Sequence, residues 1–295
     1  MGLVRAIVLG IVQGITEFLP VSSTAHLRIV PELLGWPDAG AAYTAMIQLG
    51  TVAAVIVYFW SDLVRLTQAF FQGLVHRTPF ATQDARLAWF VLVGTLPVAV
   101  LGLLFKQDIE TSLRSLYVIA SAMVGLALVL LLAERMAQHK RTLMQMRWPD
   151  AIVIGLCQAL ALIPGSSRSG TTLTGGLALG FRREDAARYS FLLSVPATAA
   201  AGLFEMRHLV RSGEPFTGPD VLVGTVVAFV TGLVSIAWLL RYLRTQSTAV
   251  FIVYRLLLGG LLFVLLATGR LSPQPDGAKA ALAALAPAVL GRGGE

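Results

Sequence analysis

Residues 151–172 read Ala-Ile-Val-Ile-Gly-Leu-Cys-Gln-Ala-Leu-Ala-Leu-Ile-Pro-Gly-Ser-Ser-Arg-Ser-Gly-Thr-Thr. The apolar run 151–163 is too short to cross a bilayer as a helix, because a crossing takes about 20 mostly apolar residues. It ends in Pro, Gly and Ser, and not in a charged loop. A second short run, 3–19, ends in a similar way at Pro20-Val-Ser-Ser. Interrupted apolar segments of this kind predict re-entrant helices at a binding site within a membrane.

The composition of the chain indicates an integral membrane protein. Of its 295 residues, 56% are hydrophobic and 13% are charged, and the mean hydropathy is +0.75. Soluble domains carry about a quarter charged residues, so an ordinary soluble enzyme, a disordered chain and a coiled coil are excluded. The single cysteine, Cys157, excludes an internal disulfide scaffold. The predicted fold is all-α, a polytopic helical bundle. Its spans are predicted at 43–60, 87–105, 116–133, 221–240 and 248–268, with a shorter candidate at 189–204.

The positive net charge of +7 lies mainly in loops and predicts how the chain is oriented. Loops rich in Lys and Arg stay in the cytoplasm, which places residues 1–40 outside and makes the two short segments enter from opposite faces. In a membrane protein this surplus faces anionic lipid and requires no nucleic acid. The basic loop residues are Arg65, Arg77, Arg86, Arg135, Lys140, Arg141, Arg147, Arg182, Arg183 and Arg188.

The two short segments resemble each other, which predicts an internal repeat. Residues 6–13 align with 151–158 at an offset of 145, and Pro20-Val-Ser-Ser aligns with Pro164-Gly-Ser-Ser at an offset of 144. Entry from opposite faces would make the repeat inverted, with two re-entrant hairpins meeting near the bilayer midplane. Chance similarity of apolar stretches is the alternative. The predicted boundaries are repeat halves at about 1–133 and 150–268, one domain at 1–270, and an Ala, Pro and Gly-rich disordered tail at 271–295.

Two polar side chains near the end of the first short segment are candidates for metal binding. Gln13 and Glu17 are four residues apart and therefore share one helix face. A carboxylate inside a membrane segment costs about 2.5–3.5 kcal/mol, so Glu17 should have a partner, a proton or an ion. Two oxygen ligands suit a hard divalent cation, Mg²⁺ or Ca²⁺, together with water and phosphate oxygens. Alternatively, Glu17 lies at the interface and is simply solvated.

The residues after Glu17 add hydroxyl groups and a histidine. Ser22, Ser23 and Thr24 are suited to cap the helix that carries His26. Ser23 and His26 are three residues apart and can share a face, which with Glu17 would provide a hydroxyl, a base and an orienting carboxylate. An ordinary interfacial histidine is the competing interpretation.

The loop after the second short segment predicts an anion site. Pro164 and Gly165 favour a turn, and the serines at 166, 167 and 169 offer hydroxyl and N–H groups at a new helix N-terminus. Arg168 adds a planar guanidinium suited to phosphate oxygens. The motif differs from a Walker P-loop, since no Lys follows the glycine and no strand precedes it. This loop adds Gly165, Ser166, Ser167 and Ser169 as candidates for substrate binding, and Thr24 at the first helix start is a further candidate.

Taken together, the two tips predict a buried site for a lipid-linked phosphate or diphosphate. The repeat brings a carboxylate, a serine and a histidine towards an arginine and an anion-binding loop, inside apolar walls. A lipid-phosphate transporter or flippase is the alternative, because inverted repeats with broken helices are a transporter architecture. A structural scaffold would not require charged and hydroxyl groups within the membrane.

Both motifs resemble those of bacterial undecaprenyl-diphosphate phosphatases, also called bacitracin-resistance proteins. The first is Gln13-Gly-Ile-Thr-Glu-Phe-Leu-Pro-Val-Ser-Ser-Thr-Ala-His26 and the second is Pro164-Gly-Ser-Ser-Arg-Ser-Gly-Thr-Thr172. The resemblance covers roughly residues 1–270. The family permits Glu or Gln at the position of Gln13, which leaves less negative charge for a metal here.

The resemblance implies that the protein removes the terminal phosphate of undecaprenyl diphosphate, regenerates the carrier for wall polymers, and confers bacitracin resistance. It further implies a multi-pass protein of the bacterial plasma membrane, a site open to the outer side, and a divalent cation. Oligomeric state is not implied. Ser23 either attacks phosphorus or holds the attacking water, His26 gives acid or base help, and Glu17 orients it or binds metal. The positions that match catalytic residues are Glu17, Ser23, His26 and Arg168. Those that match residues lining the phosphate pocket, and so are substrate-binding candidates, are Ser22, Ser167, Ser169 and Thr172.

Overall fold

A computed structural model describes residues 2–37, 39–110, 113, 115–212 and 218–273. The regular structure of these residues is helical, apart from short 3₁₀ turns and a single β-bridge between Arg141 and Phe181. The helices are α1 (Leu3–Phe18), α2 (Ser23–Leu33), α3 (Gly40–Tyr58), α4 (Trp60–Val75), α5 (Gln83–Leu104), α6 (Lys106–Glu110), α7 (Leu116–Met136), α8 (Trp148–Ala159), α9 (Arg168–Ala178), α10 (Arg183–Ser212), α11 (Pro219–Leu243) and α12 (Ala249–Ala267).

Four of these helices are long and apolar enough to span a membrane, which confirms the predicted polytopic bundle. They are α5, α7, α11 and α12. The fifth predicted span is bent. Helices α3 and α4 meet at Phe59 at an angle of 73°, and only the two together are long and apolar enough to span a membrane. Large apolar side chains such as Leu103 and Leu257 are about 70% exposed, as expected of a surface that faces lipid.

Both short segments break where a proline follows them. In α1 the residue after the helix, Leu19, is extended because the next residue, Pro20, disfavours helical backbone before it. In α8 the helix tightens into a 3₁₀ turn at Leu160–Leu162, and Ile163 is extended before Pro164. The predicted interruptions are therefore present as helix–loop–helix units, α1–α2 and α8–α9.

Three of the four helix boundaries of the two units correspond at a single offset, whereas the ends of α1 and α8, Phe18 and Ala159, are 141 residues apart. Leu3 and Trp148 begin α1 and α8, Ser23 and Arg168 begin α2 and α9, and Leu33 and Ala178 end α2 and α9. Each pair is 145 residues apart. The predicted shift to an offset of 144 at the Pro-Ser-Ser motif is therefore wrong, since Ser22 corresponds structurally to Ser167 and Ser23 to Arg168. That the halves are inverted in the membrane stays a prediction.

Each helical unit packs against a long helix from the other half of the chain. Helix α1 runs along α11, and α8 runs along α5. Glycines permit this approach: a Cβ on Gly155 would lie 2.5 Å from the carbonyl oxygen of Gly94, and one on Gly10 would lie 2.6 Å from that of Gly224. Because lipid supplies little hydrophobic drive between helices, close contact of small residues is a main source of their association.

Residues 271–273 pack onto the start of α7, where Leu271 is buried and the Leu116 N–H donates to the Pro273 carbonyl over 2.8 Å. The rest of the predicted tail, 274–295, lies outside the described residues.

Candidate functional site between the two broken helices

In each unit, the residue just before the second helix is a serine in an unusual backbone conformation. Ser22 and Ser167 have φ angles of 76° and 67°, a left-handed region that costs energy for residues other than glycine. Each side chain accepts a hydrogen bond from a backbone N–H three residues on, at 3.5 Å for Ala25 and 3.2 Å for Gly170. This is N-capping, and it fixes the direction in which α2 and α9 leave their loops.

The carboxylate of Glu17 lies where the two helix starts meet. Its Oε1 accepts from Arg168 Nη2 at 2.8 Å, and its Oε2 accepts from Ser23 Oγ at 2.7 Å. Gln13 Nε2 also donates to Oε2, at 3.2 Å. The side chains of Glu17 and Arg168 are 8% and 14% exposed, so the ion pair is largely shielded from solvent. Side chains from the first positions of two helices, α2 and α9, therefore bond to one carboxylate.

His26 lies close by but is bonded elsewhere. Its Nδ1 is 2.7 Å from the Ser22 carbonyl oxygen, which makes Nδ1 the donor and leaves Nε2 as an acceptor. Nε2 faces the hydroxyl of Tyr254 on α12, and the two rings stack at 5.5 Å. A linear relay of serine, histidine and glutamate is therefore not formed here, since Ser23 bonds directly to Glu17.

The second loop is held against the first by hydroxyl groups. Ser169 Oγ donates to the Leu19 carbonyl at 3.0 Å and lies 3.2 Å from Ser167 Oγ. Gly165 has a φ of 93°, and a Cβ there would lie 2.5 Å from the Ile119 carbonyl oxygen. Glycine is required at this position on both grounds. Gly165, Ser167 and Ser169 therefore lie in a loop that is bonded to the residue after α1.

Three substrate-binding candidates are not among the hydrogen-bond partners of the Glu17 carboxylate. Ser166 is fully buried, and its Oγ has no hydrogen-bond partner among the described residues. Thr172 donates to the Arg168 carbonyl at 2.7 Å and contacts Ser190, so it supports the first turn of α9. Thr24 is exposed on α2, and within the described ranges no hydrogen bond joins its side chain to this cluster.

Glu17 alone offers few ligands for a metal ion, so a bound substrate would have to supply further oxygen ligands. Within the described residues, no three His, Cys, Asp or Glu side chains form a group that could hold an ion. Glu17 is a single carboxylate, and the assigned Gln13 amide nitrogen faces it. Mg²⁺ is commonly held by one or two carboxylates together with phosphate oxygens and water. The donors thus fit an ion that binds together with a phosphate substrate.

Several residues at this site were not predicted from the sequence. Thr51 lies 3.4 Å from Gln13, and Tyr254 contacts His26. Arg255 reaches the carbonyl groups of Pro20 and Gly165, one in each loop. The signal for Arg255 was available, because an arginine within an apolar span is costly and marks a functional position. Tyr254 and Thr51 carry no such signal, since hydroxyl residues are common in membrane helices.

The fold and the site define a polytopic helical membrane protein with a largely buried site where an acid, an arginine and two helix N-termini meet. Comparison with known proteins identifies the family. The sequence model described as "Bacitracin resistance protein BacA" matches residues 6–261, and the chain belongs to this family.

Curated relatives match over nearly their whole length. A protein of Myxococcus xanthus named undecaprenyl-diphosphatase is 64% identical over 274 residues, covering 93% of this chain and 92% of its own. Proteins with the same name from Chloroherpeton thalassium and Chlorobaculum tepidum are 54% and 51% identical, each covering 92% of this chain and at least 99% of its own.

Proposed function

We propose that this protein hydrolyses undecaprenyl diphosphate to undecaprenyl phosphate and inorganic phosphate. The observation that carries the proposal is the convergence of Ser23 and Arg168, from two separate helix starts, on the carboxylate of Glu17. That arrangement places a hydroxyl, a base and a phosphate-binding cation together within a lipid environment. The names of the curated relatives support the same activity. Returning the monophosphate carrier to wall synthesis would also give resistance to bacitracin.

The contact between Ser23 and Glu17 favours nucleophilic attack at this point. Ser23 Oγ, or a water held in its place, would form a bond to the terminal phosphorus while Glu17 accepts the proton. The bond from that phosphorus to the bridging oxygen breaks, and undecaprenyl phosphate leaves. If Ser23 attacks, water then hydrolyses the phosphoserine. Because His26 Nε2 faces Tyr254, a proton would reach or leave this ring through the tyrosine hydroxyl or after the ring moves.

Arg168 and the loop before α9 would bind the terminal phosphate. The guanidinium is already within 2.8 Å of Glu17, so a phosphate could share or replace that contact without a large movement. The first N–H groups of a helix have no partners within the helix and face outward as donors. Charge that spreads over the phosphate oxygens in the transition state would be stabilised by both groups. Ser167 and Ser169 would hold the loop in shape.

The proposal includes a divalent cation, Mg²⁺ or Ca²⁺. Glu17 would hold it, with the amide oxygen of Gln13 as a second ligand after rotation of the amide. When bound, the cation would neutralise part of the diphosphate charge and polarise the phosphorus–oxygen bonds. The protein would lie in the bacterial plasma membrane with this site open to the outer side, as the basic loops favour.

The test is phosphate release from undecaprenyl or farnesyl diphosphate by protein purified in detergent. Wild type is measured with Mg²⁺, with Ca²⁺ and with EDTA, beside Glu17→Gln and Ser23→Ala. Glu184→Gln is the matched control, because that carboxylate pairs with Arg244 on the surface. We expect cation-dependent release that is lost in both site variants and retained in the control. Well-folded wild type that releases no phosphate under any condition would reject the proposal.

A lipid-phosphate transporter is the second candidate, favoured by the constant offset between the two helical units. Repeated broken helices are a common transporter architecture. Movement of labelled undecaprenyl phosphate across the membrane of proteoliposomes, without hydrolysis of the diphosphate, would favour this alternative. The pairing of Ser23 with Glu17 favours hydrolysis, because transport alone does not need a hydroxyl bonded to a base.

A further inference from the structure

Arg255 is a charged side chain within α12, one of the helices long and apolar enough to span a membrane. Among the described residues it is the largest of the fully buried side chains, with an exposed fraction of 0%. Ionised side chains at such depth are costly and persist where they have partners or a function. The partners of Arg255 therefore indicate what it does.

The guanidinium of Arg255 bonds only to backbone carbonyl groups among the described residues. Nε donates to Met123 at 3.2 Å and Nη2 to Ala122 at 3.3 Å, both on α7. Nη2 also donates to Gly165 at 3.2 Å, and Nη1 donates to Pro20 at 3.5 Å. Pro20 and Gly165 lie in the loops of the two broken helices, so one side chain holds both loops and α7 together.

Arg255 also lies directly behind the start of α9. A Cβ placed on Gly170 would lie 2.8 Å from Arg255 Nη1 and 3.2 Å from Ser167 Oγ. Gly170 is in the first turn of α9, and it donates to the capping Ser167. The guanidinium is therefore next to the helix end at which a phosphate is proposed to bind.

The charges at this site do not balance without an anion. Arg168 pairs with Glu17, whereas no described carboxylate pairs with Arg255. Carbonyl dipoles solvate the guanidinium but carry no net charge. An additional anion near Arg255 would be favoured in this environment of low dielectric constant.

We propose that Arg255 is a positioning residue that holds the two loops in register and supplies unbalanced positive charge behind the diphosphate site. This inference rests on the proposed phosphatase function. The substrate would reach its lowest energy at this place because its phosphates complete the charge balance. Arg255 would thus contribute to affinity for the diphosphate through the backbone and the field, without touching the reacting atoms.

The experiment separates this role from a purely structural one. Arg255→Met, Arg255→Gln and Arg255→Lys are compared with Arg183→Met, which removes an arginine from a partly buried ion pair with Glu134 at the other end of α7. Two measurements are made: the kinetics of farnesyl diphosphate hydrolysis, as KM and kcat, and the thermal stabilisation of the detergent-purified protein by inorganic pyrophosphate. The second measurement requires no turnover, so it remains informative if the proposed activity is absent.

We expect Arg255→Met and Arg255→Gln to raise the KM for farnesyl diphosphate by about tenfold or more. The pyrophosphate concentration needed for a given thermal stabilisation should rise by a similar factor. Arg255→Lys keeps the charge with fewer carbonyl contacts and should lie between these variants and wild type. Arg183→Met should lower the melting temperature with KM and pyrophosphate response unchanged. If Arg255→Met does not fold, the comparison of Arg255→Gln with Arg255→Lys decides. Neutral variants that lose only thermal stability, with wild-type KM and pyrophosphate response, would overturn the proposal.

Discussion

Ser23 and Arg168 occupy the first position of two helices that begin 145 residues apart, and both side chains bond to the same carboxylate, that of Glu17. The repeat thus provides two similar frames, each a loop with a capping serine followed by a helix. The first residue of the helix differs between the two units: Ser23 supplies a hydroxyl group, and Arg168 supplies a guanidinium group. Glu17 lies on the helix before the first frame, and its counterpart at the same offset is Leu162. A pair of similar units thereby forms a single asymmetric site.

The ion pair between Glu17 and Arg168 should contribute to stability as well as to activity. Arg168→Ala leaves a buried carboxylate with only Ser23 and Gln13 as partners, and we expect a loss of about 3 kcal/mol in the free energy of unfolding. Glu17→Gln removes the charge and should lose less. The double variant should recover part of the loss of Arg168→Ala, because it carries no unpaired charge.

Thermal unfolding of the four proteins in detergent measures this coupling. Phosphate release should be absent from all three variants, which separates the stability effect from the catalytic one. Strict additivity of the two single effects would contradict a direct interaction.

Local sequence predicted much of this site, and long-range packing supplied the rest. The breaks at Pro20 and Pro164 and the serine caps follow from residues adjacent in the chain. The one-residue error in the repeat arose because three positions separate Pro20 from the start of α2, whereas four separate Pro164 from α9. Pro164 lies one position earlier in its unit than Pro20 does in the first unit, and one more residue between Pro164 and α9 restores the offset of 145. An alignment that matches the two prolines does not show this.

The contacts that the sequence did not predict join residues far apart in the chain. His26 is 228 positions from Tyr254, and Arg255 is 235 positions from Pro20. Which hydroxyl meets His26 depends on how α12 packs against α2 and α7, and no periodic pattern records that choice. The sequence therefore identified Glu17 and Arg168 as important without showing that they form a pair.

The left-handed backbone at Ser22 and Ser167 predicts an unusual response to glycine. Glycine at either position removes the capping oxygen but relieves the strain of the positive φ. We therefore expect Ser22→Gly and Ser167→Gly to change the free energy of unfolding by only a few tenths of a kcal/mol, or to raise it. Ser→Ala loses the cap and keeps the strain, and it should cost about 1 kcal/mol.

Ser115 is the matched control, because it caps α7 through Tyr117 with an ordinary φ of −61°. Glycine at this position has no strain to relieve, so Ser115→Gly should be destabilising. Thermal melts of the five variants make the comparison. Equal effects of glycine at all three caps would show that the positive φ carries no cost.

The crossing of α5 and α8 should depend on glycine at position 155. A Cβ at this position would lie 2.5 Å from the Gly94 carbonyl oxygen and 2.8 Å from its Cα, both backbone atoms that cannot rotate away. Gly155→Val should therefore push the helices apart and cost about 1–3 kcal/mol, or prevent folding. Gly125→Val on α7 is the control, because nothing lies within 4 Å of a Cβ there. Size-exclusion profiles and melting temperatures of both variants provide the readout, and equal behaviour would argue against this close approach.

The predicted orientation places the N-terminus and the opening of the site on the outer face. Cysteines are introduced singly, as Gly2→Cys and Arg86→Cys, into a Cys157→Ala background that removes the native thiol. Both positions are exposed, and Arg86 lies in the first turn of α5, at a basic end of that helix that should be cytoplasmic. A membrane-impermeant maleimide should label Gly2→Cys in cells with an intact plasma membrane, and should label Arg86→Cys only after lysis. Reversed labelling would place the basic loops outside, contradict the charge rule for this chain, and remove the argument for a site that meets its lipid substrate from the outer leaflet.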